Sequence, residues 1–258
     1  MNYGQAIQLG ILEILYMAND KITVITINYN NAEGLSKTIA SVEKQTNKEF
    51  EYLIIDGGSE DNSIEHAKKS VICTKIISEK DNGIYDAMNK GASLAKGEYI
   101  IFTNSGDELR KNSIEILMNV LRETNTLYDI YHGILAFKKN DKVIYYRGRK
   151  SDMLNSSMIE HPTVLMRKST FNELKGFDNK WRYVADYDLM LRAYFTKRRF
   201  FFIEEVIADF DVSGVSCVSI KAPLESLRLQ RKYNLINTFE YFSKLFFIKM
   251  KKAVSCLR

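Results

Sequence analysis

Three short segments carry carboxylates where chemistry could use them. They are Asp56 in IIDGGSEDNS (Ile54–Ser63), Asp107 in EYIIFTNSGDEL (Glu98–Leu109), and Asp186 with Asp188 in ADYDLMLR (Ala185–Arg192). In the first two, an apolar run stops abruptly in small polar residues and acids, as a buried parallel strand does when its C-terminal end opens into a crevice. Asp56 can accept from a base N–H or ribose hydroxyls, and Tyr29, just past another apolar run, can stack on a ring. The structural alternative is an Asx turn at Asp56, with Gly57 at positive φ and Ser59 capping the next helix. Asp107 follows Asn104-Ser105-Gly106, small residues that let a ligand approach. A carboxylate there suits Mg²⁺ or Mn²⁺ spanning two phosphates, because such ions need only one or two protein carboxylates when a substrate supplies the rest. The ion would stabilise charge on a leaving diphosphate. Alternatively, Asp107 and Glu108 cap the following helix.

Asp186 and Asp188 are two positions apart and do not share a helix face. At most one faces a site, while the other caps or meets solvent. Asp186, at the helix start, is the better candidate for a base that takes a proton from an acceptor hydroxyl. His161, before Pro162, could orient an acceptor or diphosphate oxygen, bind metal, or serve structure alone. His66 and His132 have no metal-like spacing around them and read as structural or surface residues.

The elements that must position these groups can be read from periodicity. Lys21–Ile27 is a β-branched strand ending at Asn28-Tyr29-Asn30, Gly34–Gln45 a helix, and Glu51–Ile55 a second strand. This βαβ unit should cross over right-handedly. Ser63–Lys69 continues as a helix, Thr74–Ile77 as a short strand, Ile84–Leu94 as a helix and Glu98–Thr103 as a strand. Beyond Asp107 the pattern changes to a helix at Ser113–Arg122, then a hairpin of Ile130–Phe137 and Lys142–Arg147 around Lys139–Asp141. A strand at His161–Met166 leads into a helix and the Gly176-Phe177 turn; Asp186–Tyr194 is another helix, and Phe200–Phe202 and Val206–Phe210 are again strand-like. Alternating strands and helices predict an open, mostly parallel α/β sheet that binds ligands beyond its strand C-termini. With no repeat and no long Pro/Ser linker, one domain with an elaborated acceptor half is the economical reading.

At 258 residues and 45% hydrophobic content the chain can bury a sizeable core, and its net charge of +5 selects no partner class. Three widely spaced cysteines (Cys73, Cys217, Cys256) form no CxxC, which argues against a disulfide framework or zinc knuckle and for a reducing compartment. Ala6–Met17 is apolar but short, carries Glu13 and lacks a basic flank, so it reads as an amphipathic or docking helix. From Asn237 to Arg258 five basic residues face the single acid Glu240, and Leu235, Phe239, Phe242, Leu245, Phe246 and Met250 interleave with lysines. That is either an amphipathic basic helix for an anionic leaflet or a helix packed on protein. Neither GxGxxG nor GxxxxGK[ST] is present, which removes the usual dinucleotide and P-loop fingerprints. Nucleic-acid binding is disfavoured because the strand ends are acidic.

Five blocks in this order, TINYNNAEGLSKTIASVEKQT (Thr26–Thr46), YLIIDGGSEDNS (Tyr52–Ser63), SEKDNGIYDAMNKGASLAKGEYIIFTNSGDEL (Ser78–Leu109), HPTVLMRKSTFNELKGFD (His161–Asp178) and ADYDLMLR (Ala185–Arg192), resemble a family 2 glycosyltransferase. The nearest type is the transferases of bacterial capsule, exopolysaccharide and O-antigen synthesis. The resemblance implies a GT-A fold, a Rossmann-like mostly parallel sheet flanked by helices, over about residues 21–210. An N-terminal helical extension (1–20) and a C-terminal helical basic tail (211–258) would flank it.

The resemblance also implies a nucleotide-diphosphate-sugar donor, Mn²⁺ or Mg²⁺, and inversion by direct displacement. Carried onto matching positions, Tyr29 and Asp56 hold nucleobase and ribose, and Asp81 sits near donor ribose or sugar, with Asn89 and Lys90 supporting that loop. Ser105 belongs to the donor side, Asp107 is the metal-binding aspartate and Asp186 the catalytic base, with His161 and Asp188 in acceptor or supporting roles. Three departures stand out. Asp56-Gly57 replaces consecutive aspartates, Ser105-Gly106-Asp107 keeps one metal carboxylate, and Ala185 replaces the usual glutamate before Asp186. The implied partners are a UDP-linked donor and a saccharide or lipid-linked saccharide acceptor, with peripheral membrane contact through the tail, a homodimer as a further option, and no nucleic acid. The implied location is the cytoplasm or the cytoplasmic face of the inner membrane. A sugar-nucleotide nucleotidyltransferase, which would need an early glycine-rich basic loop, and a non-catalytic protein of the same fold are the competing readings.

Overall fold

The structure is a computed structural model that describes residues 22–212 and 221–255, with side chains up to residue 250. The predicted helix at Ala6–Met17 lies outside the described residues. The chain runs β1 (Ile22–Asn28), α1 (Ala32–Glu43), β2 (Phe50–Asp56), α2 (Ser63–Lys68), β3 (Lys75–Ser78), α3 (Ile84–Leu94), β4 (Tyr99–Asn104), β5 (Glu108–Leu109) and α4 (Ser113–Glu123). It continues with β6 (Ile130–Lys139), β7 (Lys142–Arg147), β8 (Leu165–Arg167), α5 (Lys168–Glu173), α6 (Ala185–Phe195), β9 (Phe200–Asp211), α7 (Lys221–Lys232) and α8 (Thr238–Ser255).

One curled sheet in the order β3-β2-β1-β4-β8-β6-β9-β5 organises the molecule, with β7 attached to β6. The β3-β2-β1-β4 half is parallel and in register, so that Asn28, Asp56 and Ser78 fall in one row, Asn28 pairing with Asp56 and Asp56 with Ser78, while Asn104 sits one step earlier, opposite Ile27. The antiparallel β8 against β4 ends this parallel half and begins the mixed one.

Alternation along each strand divides the core between two faces. Ile25, Ile27, Leu53, Ile55, Ile100 and Phe102 pack with Met88 of α3, Phe171 of α5, and Leu189 and Met190 of α6. Val24, Tyr52, Ile54, Tyr99 and Ile101 pack with Leu35 and Val42 of α1 and Leu117 and Leu121 of α4. Helices on both faces are why β1 is buried at all seven positions and reads as a continuous apolar run.

Several expectations need correction. Phe200–Phe202 and Val206–Phe210 form one strand, because β9 pairs with β6 along its length through two register shifts, one across Ile203, Glu204 and Glu205 and one at Ile207. His161–Thr163 is a 3-10 turn with Pro162 in its first turn, and only Leu165–Arg167 joins the sheet. Asp107 and Glu108 do not cap a helix: Glu108 opens β5 and Asn112 precedes α4. The predicted hairpin is present, with Asn140 and Asp141 at φ 50° and 59°, the left-handed pair a tight hairpin turn requires.

Candidate active site

A polar chain crosses the C-terminal ends of the parallel strands. Ser105 Oγ donates to Asn28 Oδ1 at 2.6 Å, Asn28 Nδ2 donates to Asp56 Oδ1 at 2.7 Å, and Ser78 Oγ donates to Asp56 Oδ2 at 2.7 Å. Asp56 is buried and also accepts from Ser59 Oγ (2.5 Å), Ser59 N–H (2.8 Å) and Gly58 N–H (3.1 Å). Burial pushes its carboxyl up, but the hydrogen bonds from Ser59, Ser78 and Asn28 outweigh that and hold it below the ordinary carboxylate range. The Asx turn is therefore present, with a correction: Gly58, at φ 80°, takes the left-handed conformation, not Gly57. Ser59 does not cap α2, which starts at Ser63; its Oγ accepts instead from the Asn30 N–H at 2.7 Å and ties the ends of β1 and β2.

Above this row Asp81 and Tyr29 close on the bare backbone of Gly57, which forms a glycine notch. A Cβ at Gly57 would come within 2.6 Å of Asp81 Oδ2 and 3.2 Å of the Tyr29 ring, so the notch exists because residue 57 has no side chain. Tyr29 is 66% exposed, an aromatic ring presented to solvent. Asp81 Oδ1 accepts from the Gly83 N–H at 2.8 Å and so shapes the turn that starts α3. The ammonium of Lys90 pairs with Glu79 at 2.8 Å, bracing that turn from α3. Asn89 grips the backbone of Phe177, donating to its carbonyl and accepting from its N–H, both at 2.9 Å.

Tyr85, in the first turn of α3, links the notch to the opposite wall. Its hydroxyl donates to Asp186 Oδ1 at 2.9 Å, and the Tyr187 N–H donates to the same oxygen at 2.8 Å. Burial, then the Asp186 charge, raises the Tyr85 phenol well above its ordinary value, so it stays a donor. His161 stacks on Phe102 at 5.9 Å and meets Phe177 edge-on at 5.9 Å. Burial lowers its pKa despite the nearby Asp186 charge, which makes it a neutral imidazole beside that carboxylate. Asp186, Tyr85 and His161 thus gather three elements distant in sequence into one polar corner.

Asp107 lies just past β4, on a turn bound by Thr38, whose hydroxyl donates to the carbonyls of Asp107 (2.7 Å) and Asn104 (3.2 Å) and accepts from the Gly106 N–H (3.0 Å). It is 6% exposed. Burial pushes its carboxyl up to about 7, and the charge of Asp211 on β9 adds to that. No group of three His, Cys, Asp or Glu able to hold a metal occurs among the described residues. A deeply buried carboxylate raised by burial fits a divalent cation that draws its other ligands from a diphosphate.

Asp188 falls outside this corner and corrects the expectation that it caps or meets solvent. It is 1% exposed, pairs with Arg192 at 2.7 Å and Lys232 at 3.0 Å, and accepts from the Tyr233 hydroxyl at 3.0 Å. On the same helix as Lys232, α7, Glu225 accepts from the N–H groups of Arg182 (3.1 Å) and Tyr183 (2.6 Å). Residues of α7 and its C-terminal end therefore clamp α6 on both sides of Asp186, a role that no local motif announces. Asp188→Asn should cost about 2–3 kcal/mol, less than a fully buried pair because Arg192 and Lys232 are partly exposed. The expected readout is a Tm lower by roughly 5–10 °C in thermal unfolding; an unchanged Tm would contradict the clamp.

Comparison with known proteins agrees with this architecture. The family model described as Glycosyl transferase family 2 matches residues 23–197. A cholesterol galactosyltransferase of Borreliella burgdorferi is 36% identical over 109 residues, 41% of this chain, and the match spans only 30% of that relative's length. A PGL/p-HBAD biosynthesis glycosyltransferase of Mycobacterium bovis is 25% identical over 185 residues, covering 69% of this chain and 71% of the relative. The crystal structure of S. aureus TarS 1-349 in complex with UDP superposes with a TM-score of 0.65 at 20% identity, covering 87% of this chain and 68% of that one, and so shares the fold. Because the family match runs through the strand-end row, the notch and the Asp186 corner over well more than half of the chain, the protein belongs to glycosyl transferase family 2.

Proposed function

We propose that the protein is an inverting transferase that moves a hexose or N-acetylhexosamine from a UDP-sugar to a hydroxyl of a saccharide or lipid-linked saccharide, in the synthesis of a cell-surface glycan. The observation that carries this reading is the environment of Asp186. Among the described residues both of its hydrogen bonds arrive at Oδ1, from Tyr85 and Tyr187, which leaves Oδ2 for an incoming hydroxyl. Tyr85 fixes the carboxylate's orientation. Neutral His161 offers a ring nitrogen to an acceptor oxygen without competing for the base as a cation would.

On the donor side, Tyr29 stacks on the base, Asp81 accepts from the base or ribose, and Asp56 acts through the turn it holds together. Ser105 and Lys90 brace the donor crevice, Ser105 through Asn28 and Lys90 through Glu79. In this arrangement Asp107 would hold Mn²⁺ or Mg²⁺, which would supply positive charge to the departing diphosphate. Asp186 takes the acceptor proton as the hydroxyl oxygen bonds to the anomeric carbon from the face opposite UDP, the carbon–oxygen bond to UDP breaks, and the configuration inverts. Support for UDP comes from the TarS structures holding UDP and UDP-GlcNAc, and for a lipid acceptor from the relative named for cholesterol. The cytoplasmic face of a membrane, where such acceptors are held, is the location we assign. No helix of the described residues is long and apolar enough to cross a bilayer.

Calorimetric titration with UDP, GDP and dTDP, with and without Mn²⁺, tests the donor assignment. UDP should bind at least tenfold tighter than the others and tighter still with Mn²⁺. Equal binding of all three, or of none, would contradict it. Gly57→Ala fills the same notch by pushing Asp81 and the Tyr29 ring away from the backbone. Its UDP Kd is expected to rise more than tenfold with Tm nearly unchanged, and wild-type affinity in this variant would remove the notch from the donor site.

A further inference from the structure

We propose that the outer face of α8 is a docking surface for an anionic lipid bilayer. The surface is read from its own residues and does not depend on the catalytic assignment. Along this 18-residue helix, Phe239 (82% exposed), Phe242, Phe246 and Met250 recur at helical spacing on one side. The opposite side, with Lys244, Phe247 and Ile248, faces Pro223, Ser226, Leu227 and Gln230 of α7 across a gap of about 330 Å³. The helix therefore turns three phenylalanines and a methionine outward, an exposed apolar stripe that burial on its own domain would not leave.

Charge names the occupant. Besides Lys244 on the α7 side, the sequence from Asn237 onward carries Lys249, Lys251, Lys252 and Arg258 against Glu240 alone, so the segment is basic as a whole. Two copies of α8 packed stripe to stripe would bring like charges together, whereas anionic headgroups neutralise them while the aromatic rings enter the headgroup–acyl boundary. The helix lies on the membrane and does not span it. Because α7 and its C-terminal end carry Glu225, Lys232 and Tyr233, which grip the segment around Asp186, docking through α8 would set the catalytic corner at a fixed height above the leaflet.

The test is co-sedimentation of the full chain with vesicles of phosphatidylcholine alone or mixed with phosphatidylglycerol, at low and high salt. Binding should appear with the anionic vesicles, weaken with salt, and fall at least tenfold both in Phe239→Ser/Phe242→Ser/Phe246→Ser and in Lys249→Glu/Lys252→Glu. Circular dichroism and Tm should stay near wild type in both variants, showing that they fold. Equal binding to neutral vesicles, no binding, or a dimer in light scattering that the serine variant dissolves without any vesicle binding would overturn the proposal, the last by assigning the face to a second copy.

Discussion

Asp186→Asn is expected to lower kcat by about 10²–10⁴-fold, the range that removal of a general base costs, while UDP affinity and Tm stay near wild type. The separation follows from the geometry. An asparagine keeps an oxygen to accept from Tyr85 and the Tyr187 N–H, so the corner retains its packing. It cannot take a proton from the acceptor. Because that interaction develops only as the hydroxyl attacks, kcat and kcat/KM should fall together with the acceptor KM little changed. Asp186→Glu should recover little, since an extra methylene moves the carboxylate by about 1 Å, enough to spoil alignment. Steady-state kinetics with calorimetric UDP binding on the same preparations checks this. A variant with wild-type turnover would place the base elsewhere.

Asp107→Asn should uncouple stability from activity in a pH-dependent way. Burial, with Asp211 adding to it, raises the folded-state pKa of Asp107 to about 7 from an ordinary 3.8. The folded state thus holds this proton more tightly than the unfolded chain, so its contribution is full below pH 4 and is lost as pH rises toward 7. At about 1.4 kcal/mol per pKa unit, the loss is on the order of a few kcal/mol. Asparagine stays neutral throughout. Its Tm should match wild type near pH 4 and exceed it by several degrees at pH 8 without divalent cation. Transfer should be lost at either pH, and Mn²⁺ with UDP should stabilise the wild type but not the variant. A variant destabilised equally at both pH values would show that Asp107 is structural. A carboxylate that weakens the empty fold yet is required for turnover is one retained for its chemistry.

The parts of the molecule legible in the sequence are those whose signal is local. Strands buried on both faces leave runs such as ITVITIN and YIIFTN, and the polar residues where they stop mark the crevice. What was not legible depends on alignment between distant segments. Asn28 and Ser78 read as ordinary strand ends until register sets them on either side of Asp56. Asp188 looked like a surface acid because Lys232 and Tyr233, which bury its charge, lie beyond the motif. Glu225 had no motif at all. Two adjacent glycines gave no local signal for which takes the left-handed position, and the close approach of Asp81 and Tyr29 to Gly57 is made only by the folded loop.

The most direct measurement is UDP release and glycosyl transfer by the purified protein with a panel of UDP-hexoses and UDP-N-acetylhexosamines, with Mn²⁺ or EDTA, followed by NMR of the product's anomeric proton. The expected result is metal-dependent turnover of one donor with inverted configuration, abolished in Asp186→Asn. A product that retains configuration, or release that persists in Asp186→Asn, would contradict direct displacement with Asp186 as the base.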